Sequence, residues 1–431
     1  MKKVDLNIDV KHVTRVEGHG NIKVRVKDGV VEEVLVNIVE APRFFEAMLR
    51  GRRYDEAPHI TSRICGICSI GHTTASLRAV EDALDITPSE QTVLLRKLIL
   101  HGETMQSHLL HVYFLAAPDL LGVDSVFPLV ETHKDVVLRA LRMKKLSNDL
   151  CDLVGGRTTH PVSMAVNGFT KLPDVDDFRA MRDRMKEAVA DVEETVALLK
   201  SLELPKFERE TEFIALKRSD EYAFYDGQIA STDGKLVDEH EYLSMTNEYA
   251  VPHSTAKFAK ASRDSYMVGA LARVNNNYDL LSPIAKWGAE EMGLKPVCHN
   301  PFMNNVAQVV EVAHAVEDGI RIMDELLERG FDDDEDRSVT VKAGRGVAAV
   351  EVPRGVLYHD YTIDDDGRIT NANCVIPTNQ NFANMELDMK ALVPQILDRP
   401  EEEIRLMLEM LMRAYDPCIS CSVHLLDVAF D

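Results

Sequence analysis

Residues 63–72 read Arg63-Ile64-Cys65-Gly66-Ile67-Cys68-Ser69-Ile70-Gly71-His72, and residues 416–424 read Asp416-Pro417-Cys418-Ile419-Ser420-Cys421-Ser422-Val423-His424. Each stretch holds a Cys-x-x-Cys pair at a helix end, the first just before a helical pattern and the second after one that breaks at Asp416-Pro417. Two intervening residues let both sulfurs turn toward one metal, and a helix N-terminus favours the thiolate over the thiol. Four thiolates form a soft donor set, which by ligand type suits zinc, iron, an iron–sulfur cluster or nickel. A zinc ribbon or rubredoxin-like knuckle places its two pairs roughly 15–20 residues apart. Here about 350 residues intervene, and a chain with core to spare has little need of a local staple. Structural zinc and a redox disulfide stay open on spacing alone.

Outward from these pairs the pattern is mostly helical. Residues 20–40 alternate apolar and polar positions around Asp28-Gly29, which predicts a β-hairpin within an N-terminal β region over 1–60. From about 72 to 154, Leu94, Leu98, Met105, Leu109 and Val112 return to one helical face. Asp176 to Leu202 resumes a helix after the breaks at Gly155-Gly156 and His160-Pro161. Residues 206–255 predict a β-containing excursion, and 346–376 strands around Asp364-Asp365-Asp366-Gly367. Further helices are expected over about 260–292, 301–330, 382–396 and 400–414, while the acidic run Asp332–Asp336 reads as a solvated loop. The expected fold is mainly α with small β regions, one domain over 1–431 built on a bundle of long helices.

The 431 residues are 45% hydrophobic and 28% charged, ordinary for a globular chain that folds without staples. A net charge of -22 argues against nucleic acid as a partner. No apolar run approaches the roughly 20 residues that span a bilayer, and Met1 to Lys11 lacks a signal-peptide core, so a cytoplasmic location is expected. Seven cysteines do not form a secreted disulfide framework; Cys151 and Cys298 read as buried small apolar residues.

Taken with their neighbours, the two cysteine stretches closely resemble the signature motifs of nickel–iron hydrogenase large subunits. Three more stretches agree in order and spacing: Arg15-Val16-Glu17-Gly18-His19 resembles the family's R-x-E-G-H element, Pro353-Arg354-Gly355 its P-R-G element, and Cys374-Val375-Ile376-Pro377-Thr378 the segment after it. Five motifs spread over nearly the whole chain make structural zinc a poor alternative.

The resemblance implies a nickel–iron centre with one CO and two cyanides on iron. Cys65 and Cys418 would be terminal nickel ligands, and Cys68 and Cys421 would bridge nickel to iron. Pro353, Arg354 and Thr378 would cradle the diatomic ligands, Arg354 contacting one cyanide and the Thr378 hydroxyl helping to hold the other, donors that suit anionic ligands. Glu17 matches the glutamate that relays protons outward, and Cys418 is the preferred first proton acceptor because arginine's high pKa makes its basic form scarce. Glu46, in Pro42-Arg43-Phe44-Phe45-Glu46, His424 and the carbonyl of Cys374 match a separate Mg²⁺ site. His72 matches a histidine that tunes a bridging sulfur, and Asp416 an acidic neighbour of Arg354. Maturation proteins, an iron–sulfur small subunit and further electron-transfer subunits are implied partners, since no cysteines remain here for a relay and no G-x-G-x-x-G fingerprint is evident.

Two departures stand out. Ser107 occupies the position where many relatives place an active-site aspartate. Only Leu425 to Asp431 follow His424, either as an uncleaved extension or as a tail that this branch retains. A hydrogen sensor with slow turnover is the main alternative function. A relative of the quinone-site subunit of respiratory complex I is disfavoured, because that branch lacks the four cysteines.

Overall fold

The computed structural model describes residues 5–423. Strands β1 (Leu6–Val10), β2 (Gly20–Lys27) and β3 (Val30–Ile38) form an antiparallel meander turning at Asp28-Gly29. Its inward set, Ile8, Val10, Ile22, Val24, Val36 and Ile38, is buried, as the alternation predicts. The strands end at Ile38; the rest of the expected N-terminal β region holds the short helices Phe45–Leu49 and Ala57–Thr61.

Long helices then dominate: α1 (Ser69–Leu84), α2 (Glu90–Leu110), α3 (Lys134–Gly155), α4 (Val175–Ser201) and, later, α5 (Asn304–Arg329). α2 packs on both α3 and α5, and α4 on α5, so the predicted bundle is present. Serine and aspartate side chains cap α2 and α4: Ser89 accepts from Thr92 N, and Asp174 from Asp176 N and Asp177 N. Past Leu110, α2 widens into a π-type turn over His111–Ala116.

The 206–255 excursion carries strands β4 (Glu212–Lys217) and β5 (Gln228–Ser231), paired antiparallel. The helix expected from about 260 begins ten residues late. Phe258–Lys260 and Tyr266–Met267 are extended, the latter pairing in parallel with β4, and the helix Ala270–Asn277 follows. Ser262, Asp264 and Ser265 explain this, because short polar side chains favour non-helical partners. The Ser262 hydroxyl donates to Glu212 at 2.7 Å and that of Ser265 to Asn384 at 2.7 Å.

Three antiparallel strands, β6 (Gly344–Val352), β7 (Gly355–Ile363) and β8 (Ile369–Val375), follow α5. α1 lies across β6 and β7 with nearly every residue buried. Gly346 permits the approach: a Cβ there would stand 2.1 Å from the Ala79 carbonyl oxygen and 2.3 Å from Ala83 N. Helices α6 (Pro377–Ile396) and α7 (Glu401–Ala414) come next. α6 starts five residues before its expected onset, since Pro377 is preorganised for a first helical turn. Helices make up about half the molecule and strands about a fifth, in agreement with a mainly α fold.

Candidate metal centre

Three local structures converge at one point. The loop before α1 carries Cys65 and Cys68, the loop after α7 carries Cys418 and Cys421, and the tight β6–β7 turn carries Pro353 and Arg354. The four Sγ atoms lie within 4.8 Å of one another and all four residues are buried. Cys65 Sγ is 3.5 Å from Cys418 Sγ, while Cys418 and Cys421 are disulfide-bonded. The backbone N–H groups of Ile67 and Cys68 donate to Cys65 Sγ at 3.3 and 3.2 Å. A hydrogen bond from the Cys68 thiol, Arg354's charge and these amides outweigh burial and lower the Cys65 pKa to about 7. Donating that bond, together with burial and the neighbouring Cys65 charge, pushes the Cys68 thiol well above its ordinary range.

Arg354 is buried against this cluster. Its Nε donates to the Asp416 carbonyl at 2.7 Å and its Nη2 to Asp416 Oδ1 at 2.9 Å, while Nη1 is buried with no hydrogen-bond partner among the described residues. Burial alone would lower the arginine pKa, but the charges of Asp416, Cys65 and Cys68 overcome it and raise it further. Gln308 Nε2 holds the other Asp416 oxygen at 3.1 Å, and His111, in the π-type turn, meets Gln308 Oε1 at 2.6 Å. Thr378, at the start of α6, accepts from Cys418 N at 3.0 Å and keeps its own hydroxyl hydrogen to donate.

Glu17 approaches from the N-terminal segment. Its carbonyl accepts from Ile419 N at 3.0 Å, and its Oε2 accepts from Ser420 N at 3.0 Å and stands 3.2 Å from Cys418 Sγ. Glu17 is half-buried, in contrast to the fully buried Cys418 that it meets. Gly18 makes the fit possible: at φ 85°, a Cβ would meet Ile419 Cβ at 2.7 Å and Ser420 N at 2.9 Å.

His72 lies on the first turn of α1, where its N–H bonds the Cys68 carbonyl at 3.1 Å and its Nδ1 is 3.2 Å from His359 Nε2. Glu46 and Cys374 are both buried, and burial and then the charge of Glu46 push the Cys374 thiol well above its ordinary range. His424 and Leu425–Asp431 lie outside the described residues. Ser107 is buried on α2.

Several supporting residues have no motif to announce them. Glu103 on α2 accepts from Ile70 N at 2.7 Å and Gly71 N at 3.0 Å, capping α1 immediately behind Cys68. Burial raises its pKa to about 8, against the opposing pull of those two amides. Arg273 donates to the Val352 and Pro353 carbonyls at 2.8 and 2.9 Å and pairs with Glu311 and Glu351, so a fully buried ion triad holds the Pro353-Arg354 turn. Glu351 in turn accepts from Leu216 N at 2.8 Å, which gives the 206–255 excursion a place behind this turn. Only the buried partners identify these groups; in sequence each is a lone charge on an apolar face.

The model of the nickel-dependent hydrogenase family matches residues 43–136 and 215–424. The chain belongs to that family. Sulfhydrogenase 1 subunit alpha of Pyrococcus furiosus is 36% identical over 98% of this chain and 99% of its own length. NAD-reducing hydrogenase HoxS subunit beta of Cupriavidus necator is 28% identical over 96% of this chain and 94% of its own. Among solved structures, an NAD+-reducing NiFe-hydrogenase in the H2-reduced state superposes with a TM-score of 0.87 at 26% identity, covering 97% of this chain and 99% of that one. This hydrogenase is therefore an oxidoreductase acting on H2, with a buried cysteine cluster suited to a metal. Among the described residues no helix is long and apolar enough to cross a membrane.

Proposed function

We propose that this chain is the catalytic large subunit of a nickel–iron hydrogenase, interconverting H2 with protons and electrons and passing the electrons to an iron–sulfur small subunit. One observation carries the reading: four buried cysteine sulfurs within 4.8 Å of one another, overlooked by an arginine whose Nη1 has no partner among the described residues. Buried donors are rarely left unpaired, so an acceptor outside the protein, such as a metal-bound cyanide, fits there. Structural zinc would need only the sulfurs and would leave that donor unexplained.

A nickel–iron centre on these thiolates, with CO and cyanide on iron, would supply heterolytic cleavage of H2. The protein's part is to move the proton and hold the charge. Cys418 is the nearest base to a relay, because Glu17 Oε2 is 3.2 Å from its sulfur, within reach for direct transfer. Arg354 is the weaker candidate base, since Asp416 and the thiols raise its pKa; it acts as a fixed positive charge. Thr378 orients the Cys418 backbone, and its hydroxyl would help hold the second cyanide, with Pro353 also in the set that would cradle the diatomic ligands. Glu46, the Cys374 carbonyl and His424 would bind Mg²⁺. Cytoplasmic location, maturation proteins and further electron-transfer subunits belong to the same reading.

Infrared spectroscopy of the anaerobically purified complex tests it, because protein groups do not absorb where metal-bound CO and cyanide do. Three such bands are expected, one from CO and two from cyanide; mature protein without them, containing only zinc, would overturn the proposal.

A further inference from the structure

The second cluster of ligand-type side chains, His101, His314 and Asp318, is paired internally. His101 Nε2 meets Asp318 at 2.8 Å, Arg321 meets Asp318 at 2.7 Å, and Ser282 N donates to His314 Nδ1 at 3.2 Å. Arg43 occupies a more consequential place.

We infer that Arg43 is a positioning residue that clamps the Cys65 loop to the Cys418–Cys421 loop and so sets the spacing of the four cysteine sulfurs. The inference rests on the reading of these cysteines as metal ligands. A single nitrogen, Arg43 Nη2, donates to the Ile64 carbonyl at 2.7 Å and also to the Ser420 carbonyl. Ile64 directly precedes Cys65, and Ser420 lies between Cys418 and Cys421. Arg43 N adds a bond to the Val423 carbonyl at 2.7 Å. The guanidinium is braced over the Phe45 ring, 5.3 Å from its centroid, and the residue is half-buried.

The physical need is clear. Two carbonyl dipoles from loops about 350 residues apart in sequence converge on one point, where they would repel without a cation between them. Each carbonyl belongs to a peptide plane that fixes the direction of a neighbouring cysteine. Glu17 grips the second loop through Ile419 and Ser420; Arg43 joins that loop to the first.

Because one nitrogen makes both bonds, a lysine ammonium can replace it, whereas methionine has similar length and no donor. The test uses the full chain as Arg43→Lys and Arg43→Met, metal-free and reduced, treated with dibromobimane and mapped by mass spectrometry. Bridges between Cys65 and Cys418 report the clamp; bridges within each Cys-x-x-Cys pair are the internal control. Arg43→Met is expected to lower the ratio of inter-loop to within-loop bridges at least about tenfold, since it loses both charge-assisted bonds. Arg43→Lys should keep at least about half the wild-type ratio by retaining both bonds. In the assembled complex, nickel per chain should fall for Met and hold for Lys. Wild-type bridging and nickel in Arg43→Met would overturn the clamp. So would a folded Arg43→Lys protein that loses inter-loop bridging, a result that remains readable if the Met variant does not fold. Cross-linking needs no metal, so absence of nickel and of CO bands from the wild-type complex would strike the metal reading alone.

Discussion

At the scale of single residues, Glu17 and Cys418 form the contact on which proton movement depends. A half-buried carboxylate 3.2 Å from a fully buried sulfur is placed to collect a proton and release it. Glu17→Gln keeps the side-chain volume and an acceptor for Ser420 N but removes the proton site. Hydrogen–deuterium exchange on H2 is expected to slow by about 100-fold, the lower end for loss of an acid–base group, with the CO and cyanide bands unchanged. Wild-type exchange in that variant would remove Glu17 from the path. Cys418→Ser should abolish H2 oxidation, checked by dye reduction alongside nickel content, because a hydroxyl is a poor ligand for a soft metal. Both residues were legible in the motifs. Glu103 and Arg273 were not, since nothing in a single sequence tells a buried carboxylate on one helix that it will cap another.

At the scale of elements, the site stands on two interfaces. One is α1 against β6, where Gly346 lets a helix backbone and a strand backbone nearly touch. Gly346→Ala would press a methyl group into the Ala79 carbonyl, an overpacking that costs about 1–3 kcal/mol. Its urea midpoint should fall accordingly, and a midpoint equal to wild type would show that α1 can slide away freely. The other interface is α2 against α5, where His314 is buried and its pKa is lowered to about 4 by burial and then by the charge of His101. Between pH 6.5 and 4 the unfolded chain binds a proton at this histidine that the folded chain refuses. Stability from this group is thus full above pH 6.5 and is lost as pH falls toward 4, by up to about 3 kcal/mol. His314→Phe should flatten that part of the stability profile, measured by denaturant titration from pH 7 to 4. An unchanged slope would assign the acid sensitivity elsewhere.

At the scale of the molecule, the five motifs and the predicted helices required no coordinates. The Cys-x-x-Cys pairs are recognisable because ligand chemistry demands particular residues at short spacing. Long amphipathic helices are recognisable because their apolar period is local. On the reading proposed above, electrons must leave through a partner, since the cysteines outside the two pairs, Cys151, Cys298 and Cys374, are scattered along the chain. Viologen reduction by H2 should therefore require the cluster-bearing subunit; robust reduction by this chain alone would contradict that route. Sequence by itself determined the family, the mainly α architecture and the identity of the four sulfurs. It misjudged residues 260–269, where Ser262 and Ser265 bond to the distant Glu212 and Asn384 instead of supporting a helix. Only the tertiary structure decided that Arg354 keeps one nitrogen unpartnered among the described residues, that Glu17 touches Cys418, and that Arg43 joins two loops from opposite ends of the chain. Those facts depend on long-range packing, in which each group's partner is chosen by the fold and not by its neighbours in sequence.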